Sequence, residues 1–220
     1  MEHAEPTEPT EPTEPTAPTG PAESTGPAEP AESTEPAEPA ESTGSHPRAG
    51  ERHDLLAMVA DQRTNFLYTV AGLTDEQARA RSTVSELTLG GLVKHLAATQ
   101  LSWLSVIDGT AAPEVGWADL DPDGNRMTED ETLAGHLDAF HAAADAFDRT
   151  VREEPDLDRA VTLPRYPWSP PQPLVWTVRH VLLHVFREIA HHSGHADLVR
   201  EALDGSSTTE QMAKAAMGGE

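Results

Sequence analysis

The first 50 residues contain no Val, Ile, Leu, Phe, Trp or Tyr, which confines any folded core to the rest of the chain. This segment holds 11 glutamates, 11 of the 19 prolines and one basic residue, Arg48. It is built from TEP repeats and then from AEP and AEST units. Without large apolar side chains it cannot offset its ordering entropy, and repeated Pro and Glu favour an extended chain. We therefore predict a disordered acidic Pro/Glu/Thr-rich tail over residues 1–50. A docking or glycosylated stalk is the alternative, but no specific signal favours it.

Charge and cysteine usage exclude several functions. The 220 residues carry a formal charge of −23, and residues 51–220 alone hold 27 acidic and 14 basic residues. A chain this acidic repels nucleic acids and anionic membranes, so neither is an expected partner. No cysteine is present, so any metal must be held by His, Asp or Glu, and any thiol chemistry needs sulfur from a small molecule. The absence of a long apolar run and of a secretory signal over residues 1–14 leads us to expect a cytoplasmic protein.

The apolar residues beyond the tail follow helical spacing in four segments. The pattern predicts an all-α four-helix bundle over residues 51–205. A short helix after Thr74, two proline-rich connections and a flexible tail over residues 206–220 complete the prediction, without any strand. The four helices are expected at about residues 51–73, 89–107, 128–153 and 175–203.

Candidate metal ligands lie on two of these helices. Glu188 and His192 stand four residues apart and fall within the apolar stripe of the fourth helix. A carboxylate buried alone is costly, and this spacing presents an oxygen and an imidazole nitrogen to one ion. His95, at the shoulder of the second helix, would complete a set of two histidines and one carboxylate with an open position. The alternatives are a metal-free Glu188–His192 pair and, for His95, an ordinary core histidine.

Two segments that contain these ligands resemble a known family. They are LTDEQARARSTVSELTLGGLVKHLAATQLSWL (73–104) and VRHVLLHVFREIAHHSGHADLVREALDG (178–205). Both are similar to the DinB-like metal-binding four-helix-bundle superfamily, and the similarity extends over residues 51–205. The resemblance implies a divalent metal at His95, Glu188 and His192. This sequence departs from the related bacterial branch at His180, where the branch usually has Trp.

The same resemblance implies a function. Related proteins use the thiols mycothiol, bacillithiol or glutathione in transferases and isomerases, including mycothiol-dependent maleylpyruvate isomerase. We therefore expect a metal-dependent thiol transferase or isomerase that acts on small electrophiles. Zinc is the first choice of metal, and nickel, manganese and iron also accept these ligands. The thiol is the expected cosubstrate, and His195 or His191 is a candidate general base.

Other parts of the sequence bear on a substrate pocket, a calcium site and the expected partners. Trp103, Phe186 and the 164–173 loop are candidate walls of a substrate pocket. The acidic run Asp119–Gly124 begins like a calcium loop, but Pro122 interrupts it, so an acidic turn is expected. A small molecule is the expected partner, and exposed apolar edges on such bundles leave a homodimer open. The alternative function is a non-catalytic, stress-associated metal-binding bundle.

Overall fold

A computed structural model describes residues 50–218 of the chain. The predicted acidic tail lies outside these residues, except for Gly50. Four long helices, one short helix near the start and one at the end make up most of the described part. They are α1 (Glu51–Val70), α2 (Asp75–Arg79), α3 (Leu89–Asp108), α4 (Leu133–Glu153), α5 (Val178–Asp204) and α6 (Thr208–Ala216).

The four long helices form a bundle. Helix α3 packs against α4 and α5, and α1 packs against α5. Three fully buried phenylalanines, Phe66, Phe140 and Phe147, lie at its centre. Burial of each such side chain contributes about 1.5–3 kcal/mol. The predicted all-α four-helix bundle is confirmed. Within residues 50–218, none of the helices is both long and apolar enough to cross a membrane.

The first helix differs from its predicted pattern in one respect. The sequence pattern gives Gln62 as the polar member of the buried stripe, with Met58 beside it. In the structure Arg63 is buried instead, and Met58 is exposed. Neighbouring helix positions differ by about 100°, and both polar side chains have partners across the bundle. Gln62 is partly buried and donates to Ser193 on α5. Arg63 has such partners on α3 and α4.

Most helix ends follow local sequence signals. Thr74 and Gln77 form the predicted capping box of α2, and Thr88 caps α3. Helix α4, however, begins at Leu133 rather than at Thr128. The reason is that Arg79 from α2 donates to the carbonyl oxygens of Thr128 and Glu131 and holds this segment as a turn.

Two glycines let a loop approach the start of α3. A Cβ added at Gly91 would lie 2.2 Å from the carbonyl oxygen of Asn125, and one at Gly90 would lie 2.5 Å from Sδ of Met127. Real Cβ atoms do not come that close to backbone, so Gly91 requires glycine, whereas a Cβ at Gly90 would displace the Met127 side chain. The LGGLVKHL motif therefore sets the start of the helix that carries His95.

A strand pair and a terminal helix are missing from the sequence prediction. Strand β1 (Ala160–Thr162) lies in the second proline-rich connection and pairs antiparallel with β2 (Val175–Thr177), which occupies the predicted start of the fourth helix, so that α5 begins at Val178. Helix α6 forms where a flexible tail is predicted. It begins with a Ser207–Glu210 capping box, and the Thr208 hydroxyl donates to the Asp197 carboxylate on α5. Three-residue strands and a nine-residue helix are too short for a periodicity to identify.

Candidate metal centre

The three predicted ligands meet where α3 packs against α5. His95 lies on α3, and Glu188 and His192 lie one turn apart on α5. Each offers one ligand atom, and these three atoms lie within 4.8 Å of one another. The His95 and His192 rings meet edge to face, with centroids 4.7 Å apart. The spacing on α5 and the packing of the two helices thus produce one compact group.

These three side chains do not satisfy one another. Nε2 of His192 lies 3.8 Å from Oε2 of Glu188, too far for a direct hydrogen bond. All three are partly buried, and the side chains of Glu188 and His192 are 25% and 16% exposed. Two imidazoles and a carboxylate that share one small space fit a divalent cation, with room for a further ligand.

The protonation state of His192 suits that role. Burial, with smaller contributions from His95 and His195, lowers the pKa of His192 to about 4. The ring is therefore neutral at pH 7 and keeps a lone pair for a cation. A metal-binding histidine must be in this neutral form.

The two predicted general bases lie beside His192. Nδ1 of His195 is 3.3 Å from Nδ1 of His192, on the edge of that ring away from Glu188. The His191 ring is 4.4 Å from the His195 ring, centroid to centroid. His191 is exposed and His195 is partly buried. The His191 ring also lies 5.2 Å from the His192 ring, so the three rings form a cluster that reaches the solvent at His191.

Sequence reasoning missed His184. Its Nε2 lies 3.5 Å from Oε1 of Glu188, and its side chain is only 12% exposed. The sequence pattern places it on the flank of α5. The signal was nevertheless present, because His184, Glu188 and His192 follow one another at intervals of four residues and therefore share a helix face.

An aromatic stack borders the centre. Trp103 from α3 lies parallel to Trp176 from β2 at 5.2 Å, and Trp176 lies parallel to His180 at 4.1 Å. The predicted wall residue Trp103 therefore belongs to this region, and Trp176 is an addition. Phe186 instead lines a small apolar cleft with Leu55 and Met58 of α1. It lies about 200° from Glu188 around the helix, on the opposite face.

An open cleft of about 360 Å³ adjoins the aromatic stack. The described residues that line it lie along the start of α5: Thr177, Arg179, His180, Leu183, His184 and Arg187. The 164–173 loop lies elsewhere and lines a separate cleft with Pro113 and Leu174. Space for a small molecule thus borders His184, one turn from Glu188.

The fold and this group of ligands define a helical bundle of the DinB-like class with a candidate metal centre. A family model described as mycothiol-S-transferase matches residues 54–205, nearly all of the bundle. The chain belongs to the mycothiol S-transferase family. A comparison with curated proteins found no match.

Proposed function

We propose that this protein is a divalent-metal-dependent transferase that joins the thiol of mycothiol to small electrophiles. The observation that carries the proposal is the convergence of His95, Glu188 and His192, within a family described by mycothiol S-transfer. That description favours transfer over isomerisation. The absence of cysteine accords with a reaction whose sulfur arrives with the cosubstrate.

His95, Glu188 and His192 are the proposed holders of the cation. Zinc fits their nitrogen and oxygen donors, and nickel, manganese or iron would fit them as well. A divalent cation held there supplies Lewis-acid chemistry that lowers the pKa of a coordinated thiol towards neutrality.

His195 and His191 are the proposed proton acceptors. In the transfer, the thiol sulfur bonds to the electrophilic carbon, the leaving group departs, and the thiol proton needs a base. His195 adjoins His192 and also contacts the exposed ring of His191. A proton taken up by His195 therefore has a short route to water.

Trp103 and Trp176 are the proposed wall for the electrophile. Their parallel indole rings border His184 and give an apolar surface next to the candidate ligands. Flat apolar or aromatic electrophiles would stack on such a surface.

The test is a transfer assay on the full-length, zinc-loaded protein with mycothiol and a chromogenic aryl halide. We expect thiol consumption that matches thioether formation. Glu188→Gln should lower the rate by more than about 100-fold. Glu188 is itself a proposed metal ligand, and its loss should cost more than the loss of a residue that only orients a ligand. Glu201→Gln, an exposed position on the same helix, is the matched control and should retain full activity.

Two results would contradict the proposal. The first is intact metal binding without thiol consumption for any electrophile tried. The second is a bound metal that stabilises the fold but exchanges none of its ligands. That result would favour the alternative function, a non-catalytic metal-binding bundle. Metal content that is unchanged in Glu188→Gln and His192→Ala would show that the metal lies elsewhere.

A further inference from the structure

The Glu188 carboxylate has different neighbours at its two oxygens. Oε2 lies on the side of His192, whereas Oε1 lies 3.5 Å from both Nε2 of His184 and Nη2 of Arg187. His184 precedes Glu188 by one helical turn, on the opposite side from His192. The carboxylate is thus set between two imidazoles, and only one of them belongs to the candidate ligands.

Arg187 determines which nitrogen of His184 carries the proton. Its Nη2 lies 2.7 Å from Nδ1 of His184. A guanidinium only donates hydrogen bonds, so Nδ1 must accept. The ring proton of the neutral imidazole is then on Nε2, the nitrogen that faces Oε1 of Glu188.

Two tryptophans hold the His184 ring in place. Its centroid lies 4.5 Å from that of Trp103, with the rings 66° apart, and 5.2 Å from that of Trp176. These contacts join α3, β2 and α5 around one imidazole. A ring packed on two sides keeps its orientation, so its N–H remains directed at the carboxylate.

We propose that His184 is a positioning residue that orients Glu188 for the cation. Its N–H faces Oε1, on which the Arg187 guanidinium that it holds also converges, and Oε2 is left for the space shared with His95 and His192. Groups behind metal ligands commonly fix their orientation in this way. The inference rests on the proposed function, because it presupposes a cation at these ligands.

The test measures zinc affinity of the full-length protein by competition with a chromophoric chelator. His184→Ala should bind zinc about 10- to 100-fold more weakly. His184→Gln keeps an N–H donor of similar reach and should restore most of the affinity. Cobalt absorption gives a second readout, since a reoriented carboxylate changes the visible spectrum of the bound ion in the alanine variant.

His180→Ala is the matched control. His180 lies one turn before His184 and stacks on Trp176, but it does not contact Glu188. An exposed position of this kind should change the affinity by no more than about twofold.

Several outcomes would overturn the inference. If wild type binds zinc tightly and His184→Ala binds it equally well, this inference fails and the proposed function stands. Equal losses in the His180 and His184 variants would assign the effect to ring stacking. If wild type binds no divalent metal, the proposed function fails as well. Should His184→Ala not fold, His184→Gln and His184→Leu decide the matter, and equal affinities for those two would overturn the inference.

Discussion

Two polar clusters lie inside the same bundle, and they are put together in opposite ways. In the first, Arg63 donates from Nε to Oε1 of Gln100 and from Nη1 to Oδ1 of Asp148, each at 2.7 Å. In the second, His95, Glu188 and His192 bring three ligand atoms within 4.8 Å without a direct hydrogen bond between Glu188 and His192. The first cluster pairs a permanent cation with an anion, whereas no member of the second is a permanent cation and each can present a lone pair to one point.

This difference separates a structural role from a binding role. In the Arg63 cluster the carboxylate neutralises the buried cation and the amide oxygen takes a second N–H, although Nη2 of Arg63 has no hydrogen-bond partner among the described residues. A carboxylate and two imidazoles that can all present lone pairs to one point suit a shared cation. Burial of polar residues is thus no guide to function until donors and acceptors are matched.

The largest expected effect is on the Arg63 cluster. Asp148→Ala leaves the Arg63 guanidinium buried without its carboxylate and should lower the free energy of unfolding by about 3–5 kcal/mol. Urea denaturation of the metal-free protein measures this. Asp145→Ala, an exposed position on the same helix, should change stability by no more than about 0.5 kcal/mol. An Asp148 variant as stable as wild type would remove the contrast between the clusters.

The second prediction separates stability from binding. Zinc should raise the Tm of wild type and of any folded Asp148 variant, because a ligand that binds only the folded state stabilises it. The same addition of zinc should leave the Tm of Glu188→Gln unchanged. Without metal, the free energy of unfolding of this variant should lie within about 1 kcal/mol of the wild-type value. Thermal unfolding scans with and without zinc test both expectations. A zinc-dependent rise in the Glu188 variant would contradict the assignment.

The smallest predicted effect is a pH dependence from His192. Its pKa is about 4 in the folded protein and 6.5 ordinarily, so between these values the unfolded chain takes up a proton that the folded protein does not. The free energy of unfolding of the metal-free protein should therefore fall as the pH decreases from 6.5 to 4, by about 1–3 kcal/mol. Above pH 6.5 this contribution is constant.

His192→Asn isolates that contribution. The variant keeps a polar side chain but does not titrate in this range, so its stability should depend less steeply on pH. The difference between the two curves measures His192 alone, since the other titrating groups are common to both proteins. Parallel curves would show that the pKa of His192 is not lowered in the fold.

Sequence patterns predicted the bundle because long amphipathic helices repeat their signal over many turns. The ligand trio was also a sequence prediction, since the spacing of Glu188 and His192 sets their direction on one helix. His95 came from its position at the shoulder of the second helix, and the family resemblance implied the same ligand. The structure brings these three together. Whether they hold a metal stays a prediction.

What sequence reasoning missed depends on contacts between elements. Trp176 reaches the region only because β2 pairs with β1, and the pairing of such short strands leaves no periodic trace. Arg63 was missed in favour of Gln62 because its partners lie on two other helices. His184 was assigned to the flank because the wall formed by Trp103 and Trp176, which buries it, comes from α3 and β2.

The strand pair has a consequence for how this scaffold could vary. Trp176 is held by β1 and is followed directly by Thr177, which caps α5, so its indole moves with the helix that carries Glu188. The segment between the strands closes through a hydrogen bond from the amide of Leu163 to the carbonyl oxygen of Leu174. Arg165 is tied by backbone hydrogen bonds to Pro113 and Val115, but residues 166–173 can lengthen, shorten or change composition while the indole stays in register. The same bundle could then present a different surface cleft beside Pro113 and Leu174 without a change at the candidate metal centre.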